Sequence, residues 1–191
     1  MAEIKPVIEV CDLCKTYYMA GGLSQSVLKH ISFTIYPGEF VAIMGHSGSG
    51  KSTLMNILGC LDRPTSGIYR LSGENVSDKD DEALAIVRGQ KIGFVFQNFN
   101  LMMKRTIADN VSLPLIYQGV GDEERRKRAI EMLKKVGLEG YEDRLPSQIS
   151  GGMQQRVAIA RALINNPSII FADAPTGNLD SKTSVEIMML F

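Results

Sequence analysis

Apolar positions divide the chain into short alternating runs near its start and helical stripes further on. Residues 7–13 and 32–35 read as short strands, separated by a Gly- and Ser-rich loop over 19–26. Pro37 and Gly38 predict a turn. The run 40–44 is continuously apolar, which predicts a strand buried on both faces of a parallel sheet. Leu54, Ile57, Leu58 and Leu61 then recur at helical spacing, and Pro64 is expected to stop that helix. Residues 92–96 predict a second strand, which runs into Gln97.

From residue 98 to about 147 the texture changes to helices and polar loops. Asp122 is expected to cap a helix over 123–136, with acids leading and Lys134 and Lys135 at the end, matching the helix dipole. Glu124 with Arg128, and Glu131 with Lys135, stand in the favourable i,i+4 order. The basic run 125–128 shares this helix with Ile130 and Leu133, so it reads as a solvated face rather than a nucleic-acid patch. A further helix is expected over 153–164, then a short apolar run over 169–172 ending at Asp173. The last helix starts near Asp180 or Ser181 and places Val185, Met188 and Met189 on one side. It is still apolar at Phe191, with no capping residue, so the chain is expected to stop mid-element.

Composition narrows the classes. A length of 191 residues suits one domain, and 45% hydrophobic with 22% charged residues is ordinary for a folded chain. Basic and acidic residues balance at 21 each, so no global field favours nucleic acid or an anionic membrane. No apolar run approaches the roughly 20 residues of a spanning helix. Residues 1–6 lack a signal peptide's apolar core, which predicts a cytoplasmic location. Cys11, Cys14 and Cys60 are an odd set, and the single C-x-x-C has no second pair or neighbouring histidine to complete a zinc site. These cysteines read as structural.

Three motifs carry chemistry. Gly45-His46-Ser47-Gly48-Ser49-Gly50-Lys51-Ser52 matches G-x-x-x-x-G-K-S/T between an expected strand and an expected helix. Its glycines let backbone N–H groups turn inward toward phosphate oxygens, and the following helix adds its positive end. Lys51 can reach the β- and γ-phosphates, and the Ser52 hydroxyl can ligate Mg²⁺. Asp173 ends a buried strand at the edge where open α/β sheets bind ligands, which makes it the natural Mg²⁺ partner. Ile149-Ser150-Gly151-Gly152-Met153 precedes a helix and forms a second candidate anion site.

Together with residues 59–67, residues 92–101 around Gln97, and Pro175-Thr176-Gly177-Asn178-Leu179-Asp180, these motifs make the chain resemble an ABC ATPase. The resemblance is specifically to the branch serving lipoprotein-release and macrolide-export systems, and it covers essentially the whole chain. It implies an α/β fold, a P-loop NTPase (RecA-like) core with a mostly parallel sheet, N-terminal antiparallel strands and an inserted α-helical subdomain, C-terminally truncated. The core would comprise residues 1–97 and 157–191, and the helical subdomain 98–156. Gly45, His46, Ser47, Gly48, Ser49, Gly50, Lys51, Ser52 and Thr53 would hold ATP. Tyr17 would stack on adenine, with Tyr18 the substitute. Ser52, Gln97 and Asp173 would serve Mg²⁺, with Gln97 also touching the attacking water.

The same resemblance implies a dimer that sandwiches two ATP molecules. Ser150, Gly151 and Gly152 would clasp the γ-phosphate held by the other chain, and Asp180 would sit across the seam. The region from 98 to 147 would receive the cytoplasmic helix of a membrane permease, with no nucleic acid expected. Cargo would be a lipoprotein, peptide or amphipathic small molecule, and the location the cytoplasmic side of the inner or plasma membrane. Three departures stand out. Ala174 replaces the family's catalytic glutamate, Ile149 and Met153 replace Leu and Gln in the signature, and the sequence ends before the family's switch histidine. His30 and His46 are in the wrong places to replace that histidine. A fragment of a longer protein is therefore expected, with binding intact and hydrolysis slow. An ATP-gated clamp without turnover and a soluble non-transport ABC ATPase are the alternatives.

Overall fold

The computed structural model describes residues 4–191, so the reading of the N-terminus falls outside the described residues at 1–3. The chain divides into two compact units, one ending at Arg88 and the other running Gly89–Phe191.

The first unit is built on an antiparallel sheet. Strands β1 (Ile8–Tyr18) and β2 (Ser24–Ile35) form a long hairpin, β3 (Ser66–Leu71) pairs with the other edge of β1, and β4 (Glu74–Asn75) follows. Ser72 and Gly73 both have positive φ, which suits a two-residue turn of the primed type between β3 and β4. β1 extends five residues beyond the alternating run read from sequence. The pattern is interrupted by a bulge near Asp12, whose φ is 52°. Asp12 accepts at 2.7 Å from His30 Nδ1, and His30 also has a left-handed backbone. The expected loop over 19–26 contracts to a tight reversal closed by Met19 N–H donating to the Leu23 carbonyl.

Helix α1 (Lys51–Leu58) buries Ile57 and Leu58. It ends six residues before Pro64, because Cys60 turns left-handed and the Gly59, Cys60 and Leu61 amides satisfy the last carbonyls. Leu61, expected on the buried stripe, is 52% exposed. The fully buried Tyr69 of β3 donates its hydroxyl to the Leu58 carbonyl at 2.7 Å, fixing the end of α1 against the sheet. Helix α2 (Asp81–Lys91), which the sequence did not single out, starts with Asp81 and Glu82 and buries Leu84 and Val87. The strand expected over 40–44 does not form. This segment has no regular secondary structure, and Phe40 is 72% and Met44 88% exposed. A continuous apolar run reports demand for burial but does not supply a neighbouring strand, and none of the described strands pairs with it.

In the second unit β5 (Ile92–Phe96) and β6 (Ile169–Asp173) pair in parallel, from Ile92 opposite Ile169 to Phe96 opposite Asp173. The long crossover contains α3 (Ile107–Tyr117), α4 (Asp122–Lys135), a 3₁₀ turn (Pro146–Gln148) and α5 (Gly151–Leu163), and α6 (Ser181–Met188) follows β6. Helix α5 serves two cores. Val157 and Ala160 join Ile107, Val111, Leu115 and Leu133 of α3 and α4, while Ile159 and Ala162 join Val95 and Ile187. Close approach of β5 to α5 requires Gly93, since an added Cβ would lie 2.5 Å from the Ala162 carbonyl oxygen.

Gly121 rather than Asp122 caps α4, and Asp122 is the first helical residue, ion-paired with Arg125. The basic run is less solvated than expected. Arg125 and Arg128 each donate at 2.9 Å to a main-chain carbonyl, those of Val120 and Ile164, so Arg128 is directed at a helix end rather than at Glu124. On α6 the buried residue is Ile187, and Val185, Met188 and Met189 are exposed. Among the described residues no helix is long and apolar enough to cross a membrane.

Candidate functional site

In the first unit the loop over residues 45–50 leads directly into α1. Gly50 caps the helix with φ 91°, and an added Cβ would meet Leu28 Cδ2 at 3.0 Å and Val27 Cγ1 at 3.2 Å. Only a residue without a Cβ lets the loop turn there while resting on β2. The Ser49 amide donates to the His46 carbonyl, closing the loop, and the Leu54 amide to the Gly50 carbonyl, starting the helix. Lys51 Nζ donates to the carbonyls of Gly45 and His46 at 2.7 and 2.8 Å, so its ammonium lies over the loop.

A cavity of about 290 Å³ is lined by Val27, Ser47, Gly48, Gly50, Lys51, Ser52 and Thr53. No acidic residue occupies the first turn of α1, which leaves the positive helix end unneutralised. An ammonium, three hydroxyls and an amide-rich turn are a donor set that fits a triphosphate. The Ser52 hydroxyl is an oxygen of the kind Mg²⁺ takes alongside phosphate and water. Val27 was not among the residues expected here. It lies on β2, remote in sequence from the loop, and no local signal marks it. At the end of β1, Tyr17 is 38% exposed and Tyr18 77%.

The second unit gathers the remaining candidates at the carboxyl end of its parallel pair. Gln97 directly follows β5 and Ala174 follows β6, with Phe96 opposite Asp173 in register. Asp173 and Gln97 are both exposed. Gln97 Nε2 donates to Asn178 Oδ1 at 3.2 Å, and Asn178 Nδ2 donates back to the Gln97 carbonyl at 3.0 Å and to Asn98 Oδ1 at 2.9 Å. Gly177 lies so close that an added Cβ would stand 2.6 Å from Gln97 Nε2. Ala174 is exposed, with φ at 44°, and its carbonyl accepts from the Gly177 amide.

Ser150 caps α5, its hydroxyl accepting from the Met153 amide at 3.3 Å. Gly152 is where α5 meets α6: an added Cβ would lie 2.5 Å from Thr183 Cγ2, and at Gly151 the nearest atoms would be Leu179 Cδ2 and Phe99 Cζ at 3.7 Å. Asp180 caps α6 through the Lys182 and Thr183 amides and accepts from the Thr183 hydroxyl at 2.6 Å. The Thr183 hydroxyl and amide bonds hold its carboxyl below the usual aspartate value.

Two further residues organise this end of the unit. Buried Gln155 donates to the Pro175 carbonyl at 2.6 Å, and Arg161 donates to the Asn100 and Phe99 carbonyls at 2.6 and 2.8 Å. Phe99 and Asn100 are both left-handed, so Arg161 fixes a strained loop directly after Gln97. Burial lowers the Arg161 pKa, the cost of placing that guanidinium inside.

A family model described as ABC transporter matches residues 28–177, a span that includes the phosphate-type loop, Gln97, the 149–153 signature and Asp173. The chain belongs to the ABC transporter family. As an ABC ATP-binding cassette it is 57% identical, over 97% of its length, to the macrolide export ATP-binding/permease protein MacB of Syntrophobacter fumaroxidans, of which it spans 26%. It is 54% identical over 98% of its length to an uncharacterized ABC transporter ATP-binding protein of Thermotoga maritima, spanning 80% of that protein. Among solved structures, the dimeric post-hydrolysis state of the ATP-binding cassette MJ0796 bound to ADP and Pi is similar at a TM-score of 0.84. The identity there is 52%, over 96% of this chain and 80% of that one. The cassette's fold class is the one expected, an α/β P-loop NTPase with antiparallel N-terminal strands and a parallel pair.

Proposed function

We propose that this cassette binds MgATP at residues 45–53 and closes against a second cassette around two nucleotides, working a membrane permease. The observation that carries the reading is the loop itself, where Lys51 arches over the Gly45 and His46 carbonyls beside the cavity lined by Ser47, Gly48, Ser52 and Thr53. Bound Mg²⁺ would neutralise charge across the β- and γ-phosphate oxygens. Lys51 supplies an ammonium to the same oxygens, Ser52 a hydroxyl to the metal, and the amides of the loop and α1 the remaining donors. Tyr17 stacks on adenine, with Tyr18 its substitute. Gln97 and Asp173 act at the metal and the attacking water. Ser150, Gly151, Gly152 and Asp180 form the surface offered to the partner cassette.

Residues 98–156 are the helical subdomain that receives a permease helix, while 1–97 and 157–191 form the nucleotide-binding core. Its place is the cytoplasmic side of the inner or plasma membrane. The names of the relatives, macrolide export among them, support an exporter or extractor of lipoprotein, peptide or amphipathic cargo.

Ala174 stands directly after Asp173, where a methyl group polarises no water. We therefore expect slow turnover with binding retained. Restoring a carboxylate with Ala174→Glu should raise ATP hydrolysis by about 10²–10⁴-fold, the usual worth of a positioned general base. Steady-state phosphate release by the chain and the variant checks this, and equally brisk rates in both would refute it. The same residue supports a second reading, an ATP-gated clamp. That reading is favoured if Ala174→Glu binds ATP but releases no phosphate even in a single turnover.

A further inference from the structure

Tyr17 is held by a set of contacts that the nucleotide site does not by itself explain. Its hydroxyl donates to Asp62 Oδ2 at 3.1 Å. The other carboxylate oxygen of Asp62 accepts from Lys15 Nζ at 2.7 Å, and Lys15 also donates to the Arg63 carbonyl at 2.7 Å. Lys15 Nζ in turn sits 4.9 Å from the centroid of the Tyr17 ring, within cation–π range. One face of the ring is thereby taken by an ammonium, and the phenol end is tied down.

The segment carrying Asp62 is itself fastened along β1. The Thr65 amide donates to the Cys14 carbonyl at 2.8 Å, and the Thr65 hydroxyl accepts from the Thr16 amide at 2.9 Å. Arg63 pairs with Asp81 at 2.7 Å. Lys15 is only 12% exposed on its side chain, so this is not a loose surface pair. Burial alone would push the Asp62 carboxyl up, yet hydrogen bonds from Lys15, the Arg63 amide and Tyr17 hold it below its ordinary value, so it is ionised near neutrality. Tyr18, one residue on, is 77% exposed and does not share this arrangement.

We propose that Asp62 is a positioning residue for purine binding, which through Lys15 and the phenol hydroxyl sets Tyr17 as a stacking platform open on one face. The proposal rests on the reading that Tyr17 stacks on the base. Its physical basis is pre-organisation, because a ring already fixed in place loses less freedom when a base lands on it. Lys15 also blocks the opposite ring face, which commits the base to one side.

The test compares Mg²⁺-ATP with Mg²⁺-tripolyphosphate, which has the phosphates but no base, by calorimetry on the whole chain. Asp62→Ala and Lys15→Met should each weaken ATP by about 3–10-fold, the order of worth of one pre-ordered side chain. Tripolyphosphate affinity should stay within about twofold, since the phosphate donors are untouched. Tyr17→Phe removes only the hydroxyl, and should show a smaller loss for ATP alone that Asp62→Ala does not add to fully. It keeps the question decidable if Asp62→Ala does not fold. Equal losses for both ligands would make Asp62 merely structural and overturn the proposal, as would no loss for either. Tyr17→Ala separates the two ideas. If it erases the preference for ATP and Asp62→Ala does not, the stacking stands and the brace falls. If Tyr17→Ala leaves the preference intact, both fall.

Discussion

Gly67, at the start of β3, has φ 92°, and an added Cβ would lie 2.4 Å from the Asp12 carbonyl oxygen and 2.6 Å from Leu13 Cα. Both neighbours are backbone of the bulge in β1, so neither can swing aside as a flexible side chain would. Gly67→Ala therefore combines two costs: about 1–2 kcal/mol for a left-handed alanine and about 1–3 kcal/mol for overpacking against an element that must shift. The sum is about 2–5 kcal/mol, which lowers Tm by about 4–20 °C for a chain of this size. Gly73 is the internal control. Its φ is 80°, but nothing lies within 4 Å of an added Cβ, so Gly73→Ala should incur only the left-handed strain of about 1–2 kcal/mol. Thermal unfolding of the two variants side by side, followed by circular dichroism, measures the difference. If Gly67→Ala melts no lower than Gly73→Ala, the close approach of β3 to the β1 bulge does not limit stability and the reasoning fails.

Two other outcomes are expected. Asn110 is fully buried, and its amide accepts from the Met102 amide at 2.7 Å and donates to the Met102 and Thr106 carbonyls at 3.1 and 2.9 Å. Asn110→Ala strands the Met102 amide, whereas the Met102 and Thr106 carbonyls keep the Arg105 and Asn110 main-chain amides. It should cost about 1–3 kcal/mol in urea unfolding, with a loss under about 0.5 kcal/mol contradicting that role. Cys60 is buried, and burial pushes its thiol up to about 11, with Arg88 opposing and Glu74 assisting. The neutral thiol is favoured on folding, so this contribution is complete below the unfolded value of 9.0 and is lost as pH rises toward 11. Iodoacetamide at pH 8 should label exposed Cys11 first and Cys60 only on unfolding, and mass spectrometry of the labelled peptides would show rapid Cys60 labelling if this is wrong.

The candidate site was legible to the extent that its chemistry is local. The 45–52 loop, the helix starts after the 149–153 motif and near Asp180, and the strand 92–96 each depend on residues close together in the chain, and glycines, small polar residues and short apolar runs report such neighbours directly. The end of α1 was misplaced because Pro64 is a visible stop whereas a left-handed Cys60 is not. Helix α3 carries Pro114 within it, which obscures its stripe, and only Asn110 and the capping box at Thr106 and Asp109 show why it starts where it does.

What the sequence determined by itself was the set of donors at the phosphate-type loop and the family it belongs to, since both are written in contiguous residues. The tertiary structure decided what distant residues do for that loop. Val27 lines the cavity because β2 passes beneath Gly50, and Asp62 reaches Tyr17 because the segment after α1 is bonded along β1. It also decided that residues 40–44 form no strand, because strand formation needs hydrogen-bonding partners that hydrophobicity alone does not provide.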